Sequence, residues 1–219
     1  MRFLSTALYA EGRSDYEFLR PLLLRLCVDC AAQSHEAVEI SDVLPLDDLP
    51  DRRGLPREER IFEAAMAAKG AWVLLFIHAD ADGDEHAARR ERIDPARDRL
   101  QAALGARNQS VAVVPVRMTE AWALADPDAL RSALGSTASD DKLGLAQAIA
   151  HGADRLPAPK RTLDAALQAA RPQRRTMSAV AYLGRIGESV SLSRLRRLPA
   201  FRQLETDLLA ALRRLAILR

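Results

Sequence analysis

The fold of this chain is decided by residues 72–84, WVLLFIHADADGD. The segment opens on six apolar residues in a row, which predicts a strand buried on both faces, as in a parallel sheet. The acidic turn that follows places Asp80, Asp82 and Asp84 just beyond the carboxyl end of that strand. Ligands of open α/β sheets bind at that end of the strands. The segment therefore predicts a parallel sheet and also indicates which edge of it carries function.

Strand and helix patterns alternate on both sides of this segment. Residues 2–9 and 111–116 are apolar enough for two further strands, and the alternation in residues 37–43 predicts another. Helical spacing separates them, and only helical spacing follows Glu120. We therefore predict an α/β fold, a Rossmann-like parallel sheet of about four strands flanked by helices. The core is expected in residues 1–135, with residues 136–219 forming a helical C-terminal region packed on it.

The first helix carries three local signals. Ser14 and Glu17 have the spacing of a capping box, so the helix is expected to start there. Pro21 is expected to end or kink its first turn. Cys27 and Cys30 form a CxxC inside an apolar helical pattern, without the second pair or spaced histidine that a zinc site needs. They are predicted to be core thiols.

Composition limits the class of protein and its partners. Of the 219 residues, 48% are hydrophobic and 28% are charged, which allows a sizeable buried core. No apolar run approaches the roughly 20 residues of a membrane span, so we expect no membrane contact and a cytoplasmic location. The net charge of +2 hides an asymmetry, because residues 171–219 hold eleven arginines and three acidic residues, or +8. This basic tail is either a surface for nucleic acid or an acidic partner, or a solvated helical face.

Acidic side chains follow two of the predicted strands. Glu11 stands just beyond the first strand, as Asp80, Asp82 and Asp84 stand beyond the strongest one. If these strands are neighbours, the carboxylates converge and repel one another unless a cation neutralises them. Oxygen ligands of this kind suit Mg²⁺ or Mn²⁺. An exposed acidic turn is the alternative for residues 80–84, but the match with Glu11 favours a metal site.

The same two strand ends resemble the motifs of TOPRIM domains. Residues 9–15, YAEGRSD, resemble the first motif, and residues 76–84, FIHADADGD, resemble the second, the DxD. Their order and spacing are most similar to stand-alone relatives of the OLD-family nuclease domain. These include an uncharacterised bacterial family often encoded beside ATPases in phage-defence loci. Residues 114–126, VPVRMTEAWALAD, and the later Pro159-Lys160 resemble the signature of that group, so the resemblance spans nearly the whole chain.

The resemblance implies a TOPRIM-type fold and a Mg²⁺-dependent (or Mn²⁺-dependent) nuclease that acts on DNA or RNA. It assigns Glu11 as general acid or base. Arg117 and Lys160 would neutralise charge on the reacting phosphoryl group. The implied metal ligands are Glu11, Asp80, Asp82, Asp84 and Glu120, with Glu120 completing a second metal position.

A different class of function remains open alongside the nuclease. The chain would then be a non-catalytic TOPRIM-like binding or regulatory partner of an ATPase. No Walker A glycine loop is present, so any use of ATP requires a separate ATPase subunit. A homodimer is a further possible assembly. His78 is expected to be a hydrogen-bonded support rather than a metal ligand, and Trp122 a packing anchor rather than a platform for stacked bases.

Overall fold

A computed structural model describes residues 1–170 and 179–219 of the chain. Every strand pair in these residues is parallel. The strands are β1 (Arg2–Leu4), β2 (Thr6–Tyr9), β3 (Val38–Ile40), β4 (Leu44–Pro45), β5 (Leu74–His78) and β6 (Gln109–Val113). The main sheet has four strands in the order β4-β2-β5-β6, and β1 pairs with β3 beside it. The expected Rossmann-like parallel α/β architecture is confirmed.

Helices make up the rest of the regular structure, and the described chain beyond β6 is helical, as predicted. The helices are α1 (Arg13–Ala31), α2 (Arg57–Ala67), α3 (Glu85–Arg92), α4 (Asp94–Leu104), α5 (Thr119–Leu124), α6 (Pro127–Leu134), α7 (Ala146–His151), α8 (Pro159–Ala170), α9 (Ala179–Ser189), α10 (Leu192–Leu195) and α11 (Pro199–Arg214). The start of the basic tail, residues 171–178, lies outside the described residues. The division of the chain at residue 135 stays a prediction.

Strand β5 lies at the centre of two hydrophobic cores. Leu74 and Phe76 belong to the core shared with α1 and the C-terminal helices. Leu75 and Ile77 point the other way, into the core formed with α2 and α4. All four side chains are fully buried. Because successive side chains of a strand face opposite sides, the apolar run places hydrophobic groups in both cores, as the sequence predicted.

Helix α1 starts two residues earlier than its capping signal indicated, because Gly12 rather than Ser14 is the N-cap. The helix begins at Arg13, and the backbone N–H of Gly12 donates a 3.0 Å hydrogen bond to Oδ2 of Asp15. The predicted box of Ser14 and Glu17 is therefore wrong. An aspartate at the third helical position reaches back to the N-cap N–H in the same way as the expected glutamate, and this shift brings Asp15 to the edge of the sheet.

The middle of α1 packs closely against α9. The helix continues past Pro21 to Ala31, so of the two expected effects of Pro21, ending or kinking the first turn, the first does not occur. Gly187 of α9 lies against this turn, where an added Cβ would come within 2.3 Å of the Phe18 carbonyl oxygen. Nη1 of Arg25 donates a 3.0 Å hydrogen bond to the Gly187 carbonyl across the same contact. The helices can approach this closely only because residue 187 has no side chain.

Buried side chains join the C-terminal helices to the sheet domain. The ring of Trp122 meets that of Phe201 edge to face, with 5.3 Å between centroids, and its side chain is buried, which confirms the packing role. Cys27 and Cys30 are buried free thiols, also as predicted. Burial raises the pKa of Cys30 to about 12. Among the described residues, no helix combines the length and apolarity needed to cross a membrane.

Candidate functional site

Glu11 and Asp80 lie at the same edge of the main sheet. Strands β2 and β5 are parallel neighbours, with Tyr9 opposite Ile77, so the residues that follow them leave the sheet side by side. Arg92 connects the two. Its Nη2 donates to the carboxylate of Glu11, and its Nη1 donates a 2.7 Å hydrogen bond to the backbone oxygen of Asp80. The expected convergence of the two strand ends is therefore present, with a guanidinium group between them.

A second arginine holds the Glu11 carboxylate from the other side. Nη1 of Arg57 lies 3.1 Å from Oε1 of Glu11. The same guanidinium donates to the backbone oxygens of His78, at 2.6 Å, and of Arg92, at 3.2 Å. Burial lowers the pKa of Arg57, and the charge of Glu11 opposes that shift. Glu11 thus carries two cationic partners, neither of which the sequence analysis identified.

A buried polar network joins α1, β5 and α5 behind this edge. Thr119 donates a 2.8 Å hydrogen bond to Oδ1 of Asp15, and its oxygen lies 3.1 Å from Nε2 of His78. The same Nε2 lies 3.2 Å from Oδ1 of Asp80. His78 is fully buried, and its Nδ1 has no hydrogen-bond partner within the described chain. His78 takes the supporting position that we expected for it, between two carboxylates.

A third carboxylate, that of Glu120, lies next to this network. It lies in the first turn of α5 and is 8% exposed. Burial raises the pKa of Glu120, the negative charges of Asp15 and Asp80 raise it further, and the charge of Lys160 opposes the shift. The charges of Asp15 and Asp80 therefore act on Glu120, and the charge of Lys160 compensates in part.

The remaining predicted residues lie on the turn after β5. Asp82 is exposed, with φ at 52°, and its N–H donates a 3.3 Å hydrogen bond to the backbone oxygen of Arg117. Asp84 is exposed too, and its side chain caps α3 by accepting a 2.8 Å hydrogen bond from the N–H of Ala87. The structure does not bring Asp84 into the carboxylate cluster, because the helix start takes up its side chain. Arg117 reaches the turn only through its backbone.

The described residues contain no complete metal cage. In residues 1–170 and 179–219, no three His, Cys, Asp or Glu side chains are arranged to hold one ion. The acids that interact at this edge of the sheet are Asp15, Asp80 and Glu120. Two of these were part of the predicted set, and Asp15 was not.

Four residues of this site were missed in the sequence. Asp15 stands four residues after Glu11 and Thr119 directly precedes Glu120, so a search for polar residues within four positions of each predicted acid would have found both. Arg57 and Arg92 offer no such signal, because exposed arginines on helices are common and their partners are distant in sequence.

Two clefts give access to this edge of the sheet. The larger, with a volume of about 630 Å³, opens beside Glu11 between α1 and the segment that leads into α2. The smaller, of about 310 Å³, is lined by Glu120 and Lys160 together with the apolar side chains of Leu163 and Leu167. The larger cleft therefore reaches Glu11 and the smaller reaches Glu120, whereas Asp15 and Asp80 line neither.

Two arginines of the basic tail form ion pairs with acidic residues of the same chain. Arg194 is paired with Asp128 and lies 3.3 Å from Asp126. Arg196 is paired with Asp29 and lies 2.6 Å from Glu205. These two arginines satisfy carboxylates of the same chain, so their contribution to a basic binding face is reduced.

Comparison with known proteins gives one match. The model of a protein family described as a domain of unknown function, DUF4276, matches residues 10–209. That range includes Glu11, the turn after β5, the buried network and the first part of α11. No curated protein matches the chain, and no solved structure does.

Proposed function

The chain belongs to the DUF4276 family, and we propose that it is a nuclease-like TOPRIM protein that hydrolyses phosphodiester bonds of DNA or RNA with Mg²⁺ or Mn²⁺. One observation carries this proposal. Asp15 and Asp80 contact the same Thr119–His78 pair at the carboxyl end of β5, beside Glu11 at the end of β2, and their charges raise the pKa of the nearby Glu120. Neighbouring carboxylates are unfavourable unless a cation neutralises them. A metal-dependent phosphodiesterase binds its cation at such a group of carboxylates.

The donor set fits a hard divalent ion. The candidate ligands are all carboxylate oxygens, and Mg²⁺ is usually held by one or two carboxylates with water and substrate phosphate oxygens completing its shell. A cage of three protein groups is therefore not required. Asp80 and Glu120 would hold the ion, with Asp15 beside them and Asp82 within the adjoining turn. A bound metal of this kind supplies Lewis acidity and a water of lowered pKa.

The chain's own residues would position the phosphate and its charge. Lys160 is exposed and lies near Glu120, where it offsets negative charge on the substrate. Arg92 and Arg57 flank Glu11 and give a second cationic position. In this proposal Glu11 exchanges protons with the reacting oxygens, as the TOPRIM resemblance implies. Arg117 has the weakest support, because only its backbone contacts the turn.

A hydrolysis assay tests the proposal. Labelled single-stranded DNA, duplex DNA and RNA are incubated with the protein in Mg²⁺, in Mn²⁺ and in EDTA. We expect cleavage that depends on the ion and that falls by about 100-fold or more when Glu120→Gln or Glu11→Gln removes a charge needed in the transition state. Asp51→Asn is the matched control, because Asp51 is an exposed acid with 73% of its side chain accessible. Absence of cleavage of all three substrates with either ion contradicts the proposal.

Two observations favour the alternative, a non-catalytic regulatory or binding partner. Glu11 is already neutralised by two arginines, and the described residues hold no ready-made cage for an ion. On this alternative the chain binds nucleic acid or a separate ATPase subunit without cutting. Stable binding of nucleic acid, with no ion-dependent cleavage and no effect of Glu120→Gln, would favour it. Dimer formation is compatible with either function.

A further inference from the structure

The larger cleft beside Glu11 is lined by arginines on both walls. We call it the arginine cleft and define it by Arg13, Arg20, Arg53, Arg57 and Arg60. The first two belong to α1, and the others belong to the segment that leads into α2 and to α2 itself. Glu11 also lines the cleft, so a chain of phosphates that lies in the cleft would pass beside the site of the proposed reaction.

Three of these arginines have N–H groups to offer. Arg13 and Arg53 are exposed, and their side chains make no hydrogen bond or ion pair with other described residues. Arg20 uses only its Nε, which donates a 2.8 Å hydrogen bond to the Val43 carbonyl. Guanidinium groups with free N–H pairs bind phosphate oxygens in bidentate fashion. The cleft therefore presents donors on opposite walls that intramolecular contacts leave unused.

The other two arginines and the tyrosines keep the walls in place. Arg57 is tied to Glu11 and Arg60 to Asp48. The hydroxyl of Tyr9 donates a 2.5 Å hydrogen bond to Asp48, and that of Tyr16 donates one of 2.5 Å to the Leu46 carbonyl. Walls held in this way lose little conformational freedom when a ligand binds, which favours binding.

The charge balance restricts how the cleft can bind. Five arginines and four carboxylates line the cleft, so its formal net charge is +1. The carboxylates are those of Glu11, Glu17, Asp47 and Asp48. A net charge this small does not attract a polyanion over long distances. Binding then depends on single phosphates placed on single guanidinium groups, which requires a backbone that can adapt its course.

Size points to a single strand. A volume of about 630 Å³ lies within the range of pockets that hold small organic ligands, roughly 300–1,000 Å³. Such a cleft admits a short stretch of one strand but not the body of a duplex. We propose that the arginine cleft binds the phosphate backbone of a single-stranded segment of the substrate, next to the bond cut at Glu11. The proposal rests on the proposed function, since it takes nucleic acid as the substrate.

A pair of adjacent arginines allows a matched test. Arg53 lines the cleft, whereas Arg52 does not line it and lies 3.4 Å from Asp51. Binding of fluorescein-labelled oligo(dT) is measured by anisotropy in EDTA, so that cleavage plays no part. We expect Arg53→Glu to weaken binding by roughly tenfold and to reduce the slope of log K against log[salt] by about 0.7, the value for one phosphate of a single strand. Arg52→Glu should change neither.

The outcomes separate this inference from the proposed reaction. Equal effects of Arg53→Glu and Arg52→Glu, or no binding of oligo(dT) at all, would overturn the arginine cleft as a strand site. So would equal affinity for duplex DNA, or displacement of oligo(dT) by polyglutamate at the same charge concentration. If binding depends on Arg53 but no phosphodiester is cut in Mg²⁺ or Mn²⁺, the cleft stands and the hydrolytic function falls. Circular dichroism is the control for folding, and both variants should be folded because both side chains are exposed.

Discussion

Thr119 donates a 2.8 Å hydrogen bond to Oδ1 of Asp15, a residue 104 positions earlier in the chain. Both side chains are buried, and the oxygen of Thr119 also lies 3.1 Å from Nε2 of His78. This hydroxyl therefore joins the start of α1 to the start of α5 and to the end of β5. The network holds the carboxylates of Asp15 and Asp80 through hydrogen bonds, and Glu120 follows Thr119 in the first turn of α5.

Replacing Thr119 tests that network. Thr119→Val keeps the shape of the side chain but removes the donor, and it leaves a buried carboxylate short of one hydrogen bond. We expect the free energy of unfolding to fall by about 1–3 kcal/mol, and the affinity for Mn²⁺ to fall as well. Thr119→Ser keeps the hydroxyl and should retain the affinity for Mn²⁺. Urea denaturation and calorimetry measure the two effects. Equal loss of Mn²⁺ affinity in both variants would show that the hydroxyl does not position the acids.

Gly187 tests the close contact between α1 and α9. An added Cβ would come within 2.3 Å of the Phe18 carbonyl oxygen and 2.9 Å of Cγ of Pro21, so the helices would have to separate. Gly187→Ala should lower the free energy of unfolding by about 1–3 kcal/mol. Gly54→Ala is the matched control, because an added Cβ at Gly54 meets nothing within 4 Å. Thermal melting of the two variants side by side measures the difference. A stable Gly187→Ala variant would mean that the helices are packed less tightly.

Asp154 gives a prediction for the dependence of stability on pH. Burial raises the pKa of Asp154 to about 6, with a further contribution from the charge of Glu85. Both carboxylate oxygens are buried without a hydrogen-bond partner in the described chain. A folded-state pKa above the unfolded one means that the charged form destabilises the fold above pH 6. That destabilisation is relieved as the pH falls toward 4.

Asp154→Asn removes this charge while keeping the shape. At pH 8 the variant should be more stable than the wild type by about 1–2 kcal/mol, a figure reduced from the full shift because the side chain is partly solvated. The gain should shrink as the pH falls through 6 and approach zero near pH 4. Urea denaturation at pH 8, 6 and 4.5 follows it, with Asp51→Asn as the exposed control. A gain that is the same at all three values would contradict the assignment.

The strands of the sheet could be predicted where burial leaves a simple signature. The apolar run of β5 could be recognised in the sequence because both faces of the strand pack in a hydrophobic core. The positions of Glu11 and Asp80 could be inferred because parallel strands end at the same edge of a sheet. Of the strand expected over residues 37–43, only Val38–Ile40 is a strand, β3, which pairs with β1, and a further short strand, β4, follows at Leu44–Pro45 and pairs with β2. Alternation alone does not reveal that a strand changes partner.

The site was only partly predictable for a related reason. A carboxylate that directly follows a parallel strand lies at the carboxyl edge of the sheet, so the places of Glu11 and Asp80 could be predicted. Arg57 and Arg92 reach Glu11 from helices far along the chain, and their partners depend on how those helices pack. Asp84 has the sequence context of a ligand but serves as a helix cap, because a short acidic side chain before a helix suits both roles.

Binding of Mn²⁺ to the cluster of Asp15, Asp80 and Glu120 is the most direct test of the central claim. Isothermal titration calorimetry compares the wild-type protein with Asp80→Asn and with the control Asp51→Asn, in the absence of nucleic acid. We predict that the wild type and the control bind Mn²⁺ alike, and that Asp80→Asn weakens binding by about tenfold or more, in line with the loss of a charged ligand. If the wild type binds no Mn²⁺, or if all three proteins bind it equally, the carboxylates at the end of β5 do not form a metal site and the account is contradicted.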